Sequence, residues 1–280
     1  MKWRFPRRWP WSKQRDLRML WTVAKDGREL SYLVGTAHFF PYSFRRALEK
    51  LVGEVDAVLF EGPLDADSMN QIAAYGRQGQ DCPDLGDLLE PAAIRHINRR
   101  LEQRLDHNGE AGLYYLSQPG RAMYFEMLTQ GVRPWMAFFS IWSTGLGWEY
   151  SVDMEAYHVA LRLKKPVHFL ETVEEQLRVL DGIPLERIVD QLNEVDGWPA
   201  YVRRYVDTFL AGDLDGWLAL SGRFPSRCPV VVGERDCILF ERMLAAMQSR
   251  RVAAFVGAPH VPGVSHLLRE HGYVVEHRPE

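Results

Sequence analysis

Two segments of the chain share one form, Gly35-Thr36-Ala37-His38 and Gly257-Ala258-Pro259-His260. Each follows a short apolar, β-prone run, so each places an imidazole just beyond a strand end. Glycine permits backbone angles that a Cβ would penalise and leaves room for a ligand close to the chain. Two carboxylates occupy similar positions: Glu61 ends the run Val55–Phe60, and Glu171 ends Pro166–Leu170. Two imidazoles with one or two carboxylates form a donor set for a divalent ion with positions left for water. A mixed nitrogen and oxygen set suits manganese, iron, cobalt or zinc better than calcium. Such an ion would acidify bound water for attack on a carbonyl. The same histidine and carboxylate groups can also activate water without metal, and Glu61 is then either a ligand or a general base.

Each residue also has a plainer reading. A histidine after a strand often serves as a turn or capping residue, and a strand-end glutamate often pairs with a nearby Arg or Lys. Arg235, within Glu234-Arg235-Asp236, either pairs with its neighbours on the surface or presents a guanidinium at the sheet edge. In the second case it holds a site carboxylate or stabilises an oxyanion. His168 alternates inside a strand and reads as a hydrogen-bonded core residue.

The elements that must position these groups are legible as patterns. Leu30–Val34 reads as a buried strand. A helix follows from a Ser43 cap through Phe44, Ala47, Leu48, Leu51 and Val52 to a stop at Gly53, and Val55–Phe60 reads as a second buried strand. Strand, helix, strand at this spacing is a βαβ unit with parallel strands. The C-terminal region repeats the plan, with strand Val252–Val256, the second turn, helix Val264–Glu270 and strand Tyr273–Val275. Pro166–Leu170 adds a fifth strand after a helix from about Val152 to Leu163, and a helix over Cys237–Gln248 begins at Glu234-Arg235-Asp236. The expected fold is therefore α/β, a mixed and largely parallel sheet built from two strand-GxxH-helix-strand units. Helical insertions are expected around 81–150 and 174–225 within a single domain, 29–280. Parallel strands share one carboxyl edge where ligands bind, and the four polar residues fall there.

The chain has 280 residues, 46% hydrophobic and 25% charged, with a formal net charge of -3 and a pI near 6.3. That balance supplies no global field for nucleic acid. Residues 1–28 form a basic aromatic arm: Lys2, Arg4, Arg7, Arg8, Lys13, Arg15 and Arg18 face only Asp16, with Trp3, Phe5, Trp9 and Trp11 among them. The arm is either a solvated or surface-packed leader or a peripheral contact through residues 1–18 with an anionic membrane. No apolar run of about 7–15 residues follows Arg8, so no signal peptide is expected. No window of about 18 apolar residues predicts a transmembrane helix, and the expected compartment is the cytoplasm. Cys82, Cys228 and Cys237 are odd in number and widely spaced, which fits core thiols rather than a disulfide framework. Trp135, Trp142, Trp148, Trp198 and Trp217 either line the pocket or fill the core.

The order of these motifs resembles the TraB/GumN family, including its Tiki-like proteases. The resemblance rests on Tyr32–His38, Phe60-Glu61, Val152-Asp153, Leu170-Glu171 with Gln176, Glu234-Arg235-Asp236 and Val256–Gly263. Asp84–Leu89 and Gly212-Asp213 match weaker family positions. The resemblance implies an α/β fold shared with erythromycin esterase-like and ChaN-like proteins, with His38, Glu61 and His260 at the site. It implies a metal-dependent hydrolase, a peptidase in the Tiki-like members, acting on a peptide or small molecule. Manganese or cobalt is the metal suggested by Tiki-like members, with zinc or iron as the other choices. Glu171, Asp153 and Arg235 would orient substrate or support the site. ChaN-like members imply the alternative of haem or metal binding without turnover. Two positions depart from the family pattern. Glu61-Gly62-Pro63-Leu64-Asp65 displaces the acidic partner, which puts Asp65 in doubt, and Pro259 stands where glycine is common.

Overall fold

The computed structural model describes residues 14–27, 31–105, 123–248 and 250–278. Six strands form one sheet in the order β4-β3-β5-β2-β1-β6, with β1 Leu20–Ala24, β2 Ser31–Thr36, β3 Ala57–Phe60, β4 Val167–Phe169, β5 Val252–Gly257 and β6 Val274–His277. The pairs β2–β5, β5–β3 and β3–β4 are parallel. Only β1 runs the other way, antiparallel to both β2 and β6. The inner strands β2, β3 and β5 are buried at every position, as expected of parallel strands covered on both faces. That burial explains their near-continuous apolar runs. The α/β class and the parallel pairing are as expected, and in both units β2, β3, β5 and β6 point the same way. Neither unit pairs its own two strands, however. β5 lies between β2 and β3, while β2 and β1 lie between β5 and β6.

The helices, in chain order, are α1 Arg45–Gly53, α2 Ala66–Gly76, α3 Leu85–Leu88, α4 Pro91–Leu105, α5 Met123–Thr129, α6 Pro134–Leu146 and α7 Val152–Arg162. They continue with α8 Val173–Asp181, α9 Leu185–Asn193, α10 Trp198–Ala211, α11 Leu214–Ser221, α12 Gly233–Met247 and α13 Val261–Glu270. Their ends obey local chemistry. Ser151 caps α7 by accepting from the Met154 N–H, and Thr172 and Glu175 close a reciprocal capping box on α8, satisfying donors the first turn cannot pair. Pro134 opens α6, and Gly147 ends it at φ 58, a left-handed angle that glycine adopts without penalty.

Two hydrophobic clusters organise the chain. The first is the sheet with its covering helices. The second is built by the two insertions together, from Trp135, Phe138, Ile141 and Trp142 of α6 to Ile188, Leu192 and Trp198. Trp148 packs against both, and Trp217 belongs to the sheet cluster. These tryptophans fill cores. Among the described residues no helix is long and apolar enough to cross a membrane.

The arm is shorter than the sequence suggests. Residues 20–24, assigned to it above, form β1, and Leu17, Met19 and Leu20 are buried. Gln14 donates to Ser43 Oγ at 2.8 Å, so residues 14–18 pack on the domain. The basic aromatic segment 1–13 lies outside the described residues.

Candidate active site

Four neighbouring strands deliver the four residues singled out in the sequence. Thr36 is level with Gly257, and Phe60 is level with both Phe255 and Phe169. His38, His260, Glu61 and Glu171 therefore leave β2, β5, β3 and β4 at one edge. Three of them, Glu61, Glu171 and His260, meet at Arg235, in the first turn of α12. Arg235 Nε donates to Glu171 Oε1 at 2.7 Å, and Nη2 donates to Glu171 Oε2 at 2.5 Å and to Glu61 Oε1. Nη1 donates to the Val231 carbonyl at 3.0 Å and lies 3.3 Å from His260 Nε2. Glu61 Oε2 accepts the Gly257 N–H at 2.7 Å. Of the two readings of Arg235, the surface pair with its neighbours is thus replaced by a buried clamp on two strand-end carboxylates.

The donor inventory fixes His260. A guanidinium only donates, so Nε2 must accept, and the ring proton sits on Nδ1, 2.7 Å from Asp236 Oδ1. Glu61, Glu171, Arg235, Asp236 and His260 are all buried. Burial alone would raise the Glu61 pKa, yet Arg235 at contact holds this carboxylate far below its ordinary value. Burial would likewise disfavour the Arg235 cation, and Glu61 and Glu171 more than reverse that.

His38 differs from the rest. Its Nδ1 is 3.0 Å from Asp153 Oδ2, with the His38 side chain 61% exposed and that of Asp153 4% exposed. Asp153 sits in the first turn of α7, and the Val152 N–H donates to the Ala37 carbonyl at 3.2 Å, tying that helix to the histidine turn. The contact is an ion pair more than an aligned hydrogen bond, since Oδ2 accepts none of good geometry. Desolvation by the surrounding protein works against the imidazolium. Asp153, helped by Glu61, outweighs it and carries the pKa up to about 9.

An ion held by His38, Glu61 and His260 would need a lone pair from each aimed at one point. Glu61 Oε1 and His260 Nε2 are both turned to Arg235, Glu61 Oε2 to Gly257, and His260 Nδ1 carries its proton toward Asp236. Among the described residues no three His, Cys, Asp or Glu side chains converge as a ligand set. The guanidinium supplies the positive charge that a divalent ion would bring. The residues in this arrangement do not fit that ion.

The glycines serve a different purpose from the one expected. Gly35, Gly257 and Gly263 do not adopt positive φ, so unusual backbone angles do not require them. They make room. A Cβ on Gly257 would lie 3.2 Å from Glu61 Oε2, and one on Gly263 would lie 1.9 Å from Asp236 Oδ2. A Cβ on Gly35 would touch Val261 and Ala258 at 3.2 and 3.3 Å. Gly263→Ala should therefore push Asp236 off His260 and cost about 1–3 kcal/mol, as other overpacked cores do. Urea denaturation measures the loss, and Asp236→Ala in the same background should add little because the contact is already broken.

Asp65, in doubt above, caps α2: its Oδ1 accepts from the Ser68 N–H at 3.0 Å and its Oδ2 from Ser68 Oγ at 2.7 Å. Sequence reasoning missed Asp236 as the partner of His260. The Arg-Asp pair and its place at the start of α12 were visible, and α12 does start there, at Gly233, but local sequence does not show that both side chains are buried. A search of curated proteins found no match to the chain. The sequence model of the TraB/PrgY/gumN family matches residues 19–277, from the start of the sheet to its last strand, and the chain belongs to that family.

Proposed function

We propose that the protein is a hydrolase, of peptide-like or other carbonyl substrates, that transfers protons through His38. The observation that carries this reading is the asymmetry of the site. One imidazole is open to solvent on one side and held by a buried carboxylate on the other, above an ionic network that is otherwise buried. Asp153 fixes the His38 ring and raises its basicity, leaving Nε2 to take a proton from an attacking water. Arg235, with Glu61, Glu171, His260 and Asp236, forms the rigid base from which the His38 turn is aimed.

A panel of peptide and ester substrates tests this reading. Where turnover is found, His38→Ala should lower kcat/KM by about 10²–10⁴-fold, the usual contribution of a positioned acid or base, with the melting temperature little changed. Turnover indifferent to His38→Ala sinks the proposal. Activity should survive dialysis against a chelator. If it needs added manganese or cobalt, Arg235 must release Glu61 and His260 to an ion, and the metal-dependent form of the same hydrolase takes over. A Soret band in the purified protein would instead support haem binding without turnover.

A further inference from the structure

Arg227 lies in the segment between α11 and α12 and takes no part in the network above. Its Nε donates to Ser221 Oγ at 3.3 Å, and its guanidinium lies over the Trp217 ring, 4.5 Å from the centroid. Its two terminal nitrogens have neither hydrogen-bond nor carboxylate partner among the described residues. Arg227 as a whole is partly buried, but its terminal nitrogens are not among the enclosed polar atoms, so they stay open to a partner from solution. Here burial pulls the pKa down to about 10, partly offset by the neighbouring Tyr205, Tyr201 and Glu61.

The surroundings connect this cation to the candidate site. Trp217 packs on Tyr205 with ring centroids 5.1 Å apart, and Tyr205 packs on Tyr201 at 6.0 Å. Tyr205 also stacks on Trp148 at 6.0 Å and touches Phe40, two residues beyond His38, at 6.4 Å. The phenol of Tyr205, pushed up to about 12 by burial, feels both Arg227 and Asp153. The Tyr201 hydroxyl is buried and makes no hydrogen bond. An unpaired guanidinium and two phenols, one of them an orphaned donor, thus belong to a chain of ring contacts that reaches Phe40, just past His38, through Tyr205.

We propose that Arg227, flanked by Tyr201 and Tyr205, binds a carboxylate of the substrate and so selects acidic substrates. Naming the ligand as substrate rests on the hydrolase reading; the oxyanion site itself does not. The two free Nη groups offer the parallel donors that a carboxylate accepts in bidentate fashion. A monoanion is favoured over a phosphate dianion because Glu61 and Asp153 are already negative nearby.

Binding without turnover tests the proposal. N-acetylglycine should raise the melting temperature of the full chain and bind by calorimetry, whereas its neutral analogue N-acetylglycinamide and inorganic phosphate should bind weakly or not at all. Arg227→Gln should weaken N-acetylglycine at least about tenfold, the loss of a hydrogen-bonded charge, and Arg227→Lys should retain part. His38→Ala should leave binding intact. Equal effects of acid and amide on the unmodified protein overturn the proposal whether or not Arg227→Gln folds. So does tighter binding of phosphate, or unchanged binding by Arg227→Gln. Carboxylate binding that depends on Arg227 in a protein without hydrolytic activity would instead retire the hydrolase and keep the oxyanion site. Hydrolysis through His38 with no preference for acidic substrates would do the reverse.

Discussion

Arg235→Met should cost the fold about 3–5 kcal/mol, the usual penalty for removing one partner from a buried ionic cluster. Two carboxylates, Glu61 and Glu171, share this guanidinium in the interior, and without it both would be buried beside each other unpaired. At least one would have to take a proton to remain there. The pH dependence should therefore change sign. In the unmodified protein the folded pKa of Glu61 lies below its ordinary 4.5, so its contribution is full above pH 4.5 and is lost as the pH falls through the folded value. In Arg235→Met the pKa of Glu61 rises instead, because burial is no longer opposed by the guanidinium, and the variant should lose stability as pH climbs above 4.5. Urea titrations at pH 5 and pH 8 measure this difference. The triple variant Arg235→Met/Glu61→Gln/Glu171→Gln should recover a large part of the loss, because well-packed neutral groups often replace a buried ion cluster at little cost. A single Arg235→Met variant as stable at pH 8 as the unmodified protein would mean that the cluster is hydrated or loosely held.

The sheet and its working edge were legible because parallel strands buried on both faces leave an unmistakable mark. Val55–Phe60 runs directly into Glu61 and Val252–Val256 into the Gly257–His260 turn, and those polar residues mark where a ligand-facing edge begins. β1 was obscured by its setting. Leu20–Ala24 contains Thr22 and follows a run of charge and tryptophan, so composition joined it to the arm although its register against β2 and β6 makes it structural. Which strands neighbour each other is decided by long-range packing, and for that reason the insertion of β5 between β2 and β3 has no local signature. At the site, residue types gave the members but not their partners. His38 and His260 have the same motif and were read as equals. The structure separates them, since His260 is enclosed with Asp236 and Arg235 and His38 stands open against Asp153. Their neighbours differ, with Pro259 and Gly263 near His260 alone, but those differences do not name the partners, which arrive from α12 and α7. Arg227 left no trace for the same reason: its importance lies in the partner it lacks.

Asp153→Asn should move the titration of His38 from about 9 toward or below its ordinary 6.5, because the charge that favours the imidazolium is gone while the surrounding protein still disfavours it. If His38 is the base, the unmodified protein should show a rate that rises with pH to a midpoint near 9, where the ring loses its proton. At pH 7 only about 1% of the rings would then be competent, from two units of separation. The variant should show a midpoint lower by about two units, with a lower plateau because the ring is no longer held. Stability should follow the same titration. The pKa is raised on folding, so the His38–Asp153 pair stabilises fully below pH 6.5 and its contribution is lost between 6.5 and about 9. With the side chain 61% exposed, screening by water reduces that contribution to about 1 kcal/mol. Chemical shifts of the His38 ring carbons against pH give the titration directly in both proteins. A midpoint near 6.5 in the unmodified protein would remove Asp153 as the group that sets the basicity of His38, and a rate profile unmoved by Asp153→Asn would assign the rate-controlling proton to another residue.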